Sequence, residues 1–319
     1  MLNLTLYVVT VISWGASWLA IKFQLGVVAP EASIVYRFAL SAVVMFALCL
    51  LTGRGLRFDA RAHARMAMLG LFLFSTNYYL IYLGTGGLTS GLVAVAFSSI
   101  TVMNIVNGAI FMKVPVRPRV VLGAVIGIAG IGLVFWPEIA GFTLGSGGGL
   151  ALLLCLAGTL SASFGMITSG VNQQKGLPVV QANAWGMAYG GAFMTALTIG
   201  SDAGFDFDPS LLYVGSLAFL VIFATVIGFW CYLTLLGRIG PDRASYATVL
   251  FPIVALGLST LFEGYEWSAE AGLGVALVLA GNVLVLTGGK AGKAAGGSKN
   301  PLIPSAMKAK CDLAHRLGR

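Results

Sequence analysis

The chain holds 319 residues, of which 58% are hydrophobic and only 9% charged, with a mean hydropathy of +0.92. A soluble globular chain carries roughly 25% Asp, Glu, Lys and Arg, so the composition excludes one; spans of about 20 apolar residues would use most of the length and leave no room for a soluble catalytic domain. The formal charge of +8 points to nucleic acid only where basic side chains share a solvated face, and here the loops account for it.

Apolar stretches between turn residues and charges predict ten spans, at 3–24, 31–52, 66–86, 88–112, 118–136, 148–171, 178–200, 210–236, 241–263 and 268–288. The first lacks the basic start and small-residue exit of a cleaved leader and is read as a helix. Pro30, Pro118, Pro137, Pro178, Pro209 and Pro241 stand at or beside proposed ends, where a missing N–H costs least. In the first span Trp14, Trp18 and Lys22 recur at four-residue spacing and so share one face. Lys22 lies near a helix end and reads as a snorkelling anchor. Arg37, about two turns into the second span, calls for a partner: helix-end carbonyls, Glu31 or another acid, or a substrate carboxylate.

The third span repeats the four-residue spacing with Phe74, Tyr78 and Tyr82, and places Asn77 near its middle. Tyr O–H and Trp N–H groups at that depth need partners, so both stripes read as walls of a cavity suited to a planar apolar ring; ordinary helix packing is the alternative. Further mid-depth candidates are Ser98, Thr101 and Asn104 on the fourth span, Thr159, Ser163 and Phe164 on the sixth, and Tyr246 and Thr248 on the ninth. Ser and Thr in spans often bond their own i−4 carbonyl instead. Gly123, Gly127 and Gly130, Gly186 and Gly190, and Gly272 and Gly274 read as close helix contacts. Pro252 removes one helical hydrogen bond from the ninth span and predicts a kink there.

With the amino terminus cytoplasmic, every Lys and Arg except Lys22 and Arg37 falls in a loop or tail on that side, as the positive-inside rule requires. The chain divides into 1–137, a Gly-rich connection 138–147, a second unit 148–289, and a basic tail 290–319. One offset places Gly123 on Gly274 and Gly130 on Gly281. Five spans per unit is an odd number, so a second copy enters the membrane from the opposite side, the inverted repeat of transporters.

The run Trp14-Gly15-Ala16-Ser17-Trp18, followed by Lys22, Pro30 and Arg37, resembles the start of the EamA type of the drug/metabolite transporter superfamily. Glu263 followed by a Gly-rich tenth span resembles the ending of its second repeat. The resemblance implies a ten-helix carrier of small organic metabolites, often an exporter; length and aromatic content look most like the YddG-type exporters of aromatic amino acids. The second unit departs from the pattern, with Trp185 where Arg37 would stand, Ala162 for Trp14, and Lys113 near the counterpart of Glu263.

Nothing in the chain assembles an enzyme. His63 and His315 are the only histidines, both in cytoplasmic segments, and Cys49, Cys155, Cys231 and Cys311 include no CxxC pair. No acid stands at mid-depth to carry protons, so facilitated diffusion is the expectation, with Glu31 or Glu263 the alternative coupling groups. The whole reads as an all-α polytopic membrane protein, ten transmembrane helices as two inverted five-helix repeats, in a bacterial-type cytoplasmic (inner) membrane with both termini cytoplasmic. It would export aromatic and other apolar amino acids or similar amphipathic metabolites. A broader drug or nucleobase-like exporter, proton-coupled or not, and a solute channel are the alternatives. Its partners are a small-molecule substrate and the lipid bilayer, with no cofactor, metal or nucleic acid; the oligomeric state is left open, a monomer being compatible with the sequence. The expected substrate-binding set is Trp14, Ser17, Trp18, Asn77, Tyr78, Tyr82, Ser98, Thr101, Ser163, Phe164 and Tyr246, with Lys22, Arg37, Glu263 and Pro252 in charge-bearing, structural or gating roles.

Overall fold

The computed structural model describes residues 2–113, 115–136, 147–239 and 247–288, so Tyr246, Cys311, His315 and the basic tail lie outside the described residues. Among the described residues the chain is all-helical, without a strand. Seven helices are long and apolar enough to cross a membrane, and Pro118–Val134 and Val249–Phe262 are shorter apolar ones.

In chain order the helices are α1 (Leu2–Lys22), α2 (Pro30–Leu51), α3 (Ala60–Leu69, Gly70–Thr76 and Asn77–Thr85, continuous), α4 (Ser90–Phe97, then Ile100–Met112) and α5 (Pro118–Val134). They continue with α6 (Gly147–Gln174), α7 (Val179–Gly200), α8 (Leu211–Phe219, Leu220–Ile227 and Gly228–Ile239, continuous), α9 (Ala247–Phe262) and α10 (Ala269–Gly288). Pro30 and Pro118 occupy first-turn positions of α2 and α5, where no intrahelical N–H is lost. The third helix begins at Ala60 rather than at the expected 66 because the Asp59 carboxylate accepts the Ala62 N–H at 2.7 Å, an N-cap that draws the charged turn around Arg61, His63 and Arg65 into the helix. Ser210 caps α8 in the same way, accepting from the Tyr213 N–H. The ninth helix runs on through Pro252.

Two segments are wound as π-helix, Gly70–Thr76 in α3 and Leu220–Ile227 in α8. A π turn leaves carbonyls without their α-helical partners, and a neighbouring helix serves each segment. The Trp14 indole N–H of α1 donates to the Ala224 carbonyl at 3.1 Å, and the Ser161 hydroxyl of α6 donates to the Phe72 carbonyl at 2.8 Å.

The packing partners correspond when each of the first five helices is exchanged for the helix five later. Helix α3 packs on α6 as α8 packs on α1, and α2 meets α7, α4 meets α9, and α5 meets α10. These counterparts run antiparallel. A Cβ added at Gly123 would stand 2.7 Å from the Gly281 carbonyl oxygen, and one at Gly130 would stand 2.6 Å from that of Gly274, so α5 and α10 touch backbone to backbone along a glycine seam. Likewise Gly91 of α4 meets Leu256 and Ser259 of α9, while Phe97 further along meets Phe251. Gly186 and Gly190 of α7 press on Gly70 and Phe74 in the π segment of α3. Gly272, expected to be a contact glycine, has open space around it.

Candidate functional site

The second helix places Ser33, Arg37 and Ser41 at four-residue spacing, and all three are buried. Against that face α3 presents Phe74, Tyr78 and Tyr82. Arg37 is only 3% exposed. Its guanidinium stands 4.4 Å from the Tyr78 ring centroid and 5.3 Å from that of Phe38, within cation–π range of both. Its Nη2 donates to the Tyr78 hydroxyl over a long 3.5 Å, while Nε and Nη1 have no partner among the described residues. Phe38 in turn meets Tyr78 edge-on at 4.9 Å and Phe74 at 5.4 Å.

Polar groups continue from this pair toward α8. The fully buried Tyr82 lies within electrostatic reach of Arg37 and donates its hydroxyl to Gln24 Oε1 at 3.1 Å. Gln24 Nε2 reaches Ser216 Oγ at 3.4 Å, and the Ser33 and Tyr213 hydroxyls share a 2.9 Å bond. The other side of the same contiguous buried cluster is aromatic. Trp18 packs at 5.0 Å on Phe97 and at 5.9 Å, stacked, on Phe251, and its indole N–H has no partner among the described residues. Trp14 sits beside Phe229 and Tyr232. Helices from both halves, α1 to α4 and α8 and α9, thus contribute to one aromatic core holding one cation.

Two of the expected charged residues act at a helix-hairpin end instead. Lys22 Nζ donates to the Thr85 and Leu88 carbonyls at 2.8 and 2.9 Å, satisfying the carboxyl end of α3. The Glu263 carboxylate accepts the Ser90 N–H at 3.0 and 2.9 Å and the Ser90 hydroxyl, holding the amino end of α4. The α3–α4 turn is therefore gripped by α1 on one side and by the end of α9 on the other. Glu31 is buried at the start of α2, where it accepts from Ser201 Oγ at 3.2 Å. No carboxylate among the described residues bonds Arg37.

The remaining expected residues lie elsewhere or serve their own helices. Ser17 and Ser98 donate to the Trp14 and Val95 carbonyls, and Asn77 to that of Leu73, leaving Asn77 Oδ1 unpartnered. Thr101 is half-buried. Ser163 accepts from Asn107 Nδ2 at 2.8 Å, and Phe164 touches Phe72 and Phe111, a separate set on the α4–α6 seam. His63 is half-buried at the start of α3, its Nδ1 3.0 Å from the Tyr189 hydroxyl and its ring edge-on to Trp185. Sequence reasoning passed over Gln24, Ser33, Tyr213 and Ser216. The four-residue recurrence of Ser33, Arg37 and Ser41 was the signal available for the α2 members.

Membrane-length helices closed around a buried polar and aromatic core define a multi-pass membrane protein. The sequence matches the EamA-like transporter family over residues 1–136 and again over 149–287, and the chain belongs to that family. It is 24% identical over 286 residues to an uncharacterized transporter of Archaeoglobus fulgidus, covering 87% of this chain and 96% of that one. It is 21% identical to protein PagO of Salmonella typhimurium, covering 88% and 91%. A crystal structure 16% identical in sequence shares the fold at a TM-score of 0.65 over 91% of this chain and 98% of the other.

Proposed function

We propose that this membrane transporter exports small amphipathic metabolites, aromatic and other apolar amino acids among them, by alternating access of two inverted five-helix halves. The observation that carries the reading is the Arg37–Tyr78 pair, a buried cation against an aromatic ring, in a core built from both halves. Such a core offers a flat apolar body rings to stack on and its polar end a charged donor. The exchange of packing partners between the halves and their antiparallel counterparts support an inverted repeat, in which two alike halves trade conformations about a central site.

The mode is facilitated diffusion. Of the two acids that could couple protons, Glu263 has its carboxylate engaged in capping α4 and Glu31 accepts from Ser201. The test is uptake of labelled Trp, Phe, Leu and a charged amino acid into liposomes holding the purified protein, with and without an imposed pH gradient. Saturable uptake of the apolar members, indifferent to the gradient, is the expected result. Uptake that follows the gradient in the native protein and loses that dependence in Glu263→Gln would replace uniport with proton coupling.

A further inference from the structure

We propose that the Arg37 site takes a net monoanion, an aromatic or apolar carboxylate without a balancing ammonium, in preference to the zwitterionic amino acid. The inference rests on the transporter reading above and narrows its substrate class. Arg cannot shed its proton, so its charge stays in the core whatever surrounds it. The guanidinium is almost wholly buried, its Nε–H and Nη1 donors are open, and its hydrogen bond to Tyr78 is long. A buried cation without a counter-charge is costly, and a planar carboxylate fits the guanidinium fork with two charge-assisted hydrogen bonds.

The surroundings then decide between an acid and an amino acid. Balancing the charge of an ammonium group would need a carboxylate; the unpartnered Asn77 Oδ1 and Ser41 Oγ offer it neutral acceptors only. Glu31, six residues before Arg37, falls on a different face of α2 and meets Ser201 at the end of α7, and Glu263 is held by the Ser90 N–H and hydroxyl. The Tyr78 and Phe38 rings nearest the site already lie against Arg37 itself. The neighbouring polar groups, Tyr82, Gln24, Ser33 and Tyr213, are neutral and bonded to one another in pairs. A bound zwitterion would leave one positive charge uncompensated in the core, whereas a monoanion brings the sum to zero. Because Arg37 is buried in this conformation, the ligand enters only as the helices around α2 and α3 part, as alternating access requires.

Charge movement gives the test, since uniport of a monoanion carries current and uniport of a zwitterion does not. Proteoliposomes would be offered labelled 3-phenylpropionate, Phe and 2-phenylethylamine from outside, in parallel and at neutral pH, with protein-free liposomes correcting for leak, under valinomycin-set potentials of either sign. The expected result is saturable 3-phenylpropionate uptake that rises when the interior is positive, with apparent affinity at least about 10-fold above that of Phe and little uptake of the amine. Arg37→Gln should weaken the apparent affinity for 3-phenylpropionate on the order of 100-fold, the loss typical of unpairing a buried charge, and Arg37→Lys should restore part of it. The potential dependence is read on the native protein and stands even if the Arg37 variants fold poorly. Phe uptake equal to or better than 3-phenylpropionate, or an Arg37→Gln protein with unchanged affinity, overturns the inference and leaves the transporter reading intact. Transport of none of the three overturns both the inference and the aromatic-substrate reading it narrows.

Discussion

At the residue scale, charge in this chain serves two separate purposes. Arg37 keeps open donors in the core, while Lys22 and Glu263 spend theirs on helix ends. Lys22 satisfies carbonyls that no helix bond reaches, and Glu263 satisfies an N–H at the opposite pole of the next helix, so each charge also opposes the partial charge of its helix end. Glu263→Gln retains the shape but loses the charge from the hydrogen bonds to Ser90; a destabilisation of about 1–3 kcal/mol is expected, read as a lower melting temperature in detergent. Lys22→Met leaves the Thr85 and Leu88 carbonyls with one donor fewer and should fall in the same range. The α1 stripe of Trp14, Trp18 and Lys22 was legible from spacing alone, because four residues of helix bring side chains onto one face whatever the partner. Which partner each would choose was not legible. Trp14 turns to a carbonyl in α8 and Lys22 to the end of α3, and those neighbours are distant in sequence.

Among elements, the features hardest to read were the two π segments. Nothing in the local composition of Gly70–Thr76 or Leu220–Ile227 marks an extra residue in the turn. They persist because donors from other helices take up the released carbonyls, a tertiary effect. Trp14→Phe removes the donor to the Ala224 carbonyl while keeping a ring, and Ser161→Ala does the same for the Phe72 carbonyl. Each should cost about 1–3 kcal/mol as an unpaired buried group. If the π segments act as hinges, both variants should also change the uptake rate more than the apparent affinity. The glycine seam, by contrast, was visible in sequence as matched glycines in the fifth and tenth spans, since only glycine permits backbone contact. At Gly281 an added Cβ would stand 2.5 Å from the Gly123 carbonyl oxygen and 2.6 Å from the Gly127 nitrogen, and backbone atoms on both sides have no rotamer to yield. Gly281→Ala should therefore destabilise by about 1–3 kcal/mol, the usual range for overpacking. Its apparent affinity for substrate should be unchanged in the folded fraction, because α5 and α10 contribute no side chain to the Arg37–Tyr78 pair.

For the whole molecule, the packing of α4 gives the bundle a direction. Its first half, from Ser90 to Phe97, packs on α9 where Glu263 closes the hairpin, and its second half, from Ile100, packs on α6. The two sets of helices are thus drawn together at the end that carries Lys22, Ser90 and Glu263. Whether that end faces outward depends on orientation, which rests on the loops: Arg54, Arg57, Arg61 and Arg65 cluster at the opposite end, and Asp202, Asp206 and Asp208 lie in the loop between α7 and α8. By the positive-inside rule the arginine end is expected in the cytoplasm. Single cysteines make this measurable against a quiet background, because Cys49, Cys155 and Cys231 are free and buried; only Cys311, outside the described residues, needs replacement by Ser. Arg57 and Asp206 are both exposed. In intact cells a membrane-impermeant maleimide should label Asp206→Cys at once and Arg57→Cys only after permeabilisation. The opposite pattern would turn the bundle over and put the Lys22–Glu263 clasp on the cytoplasmic side.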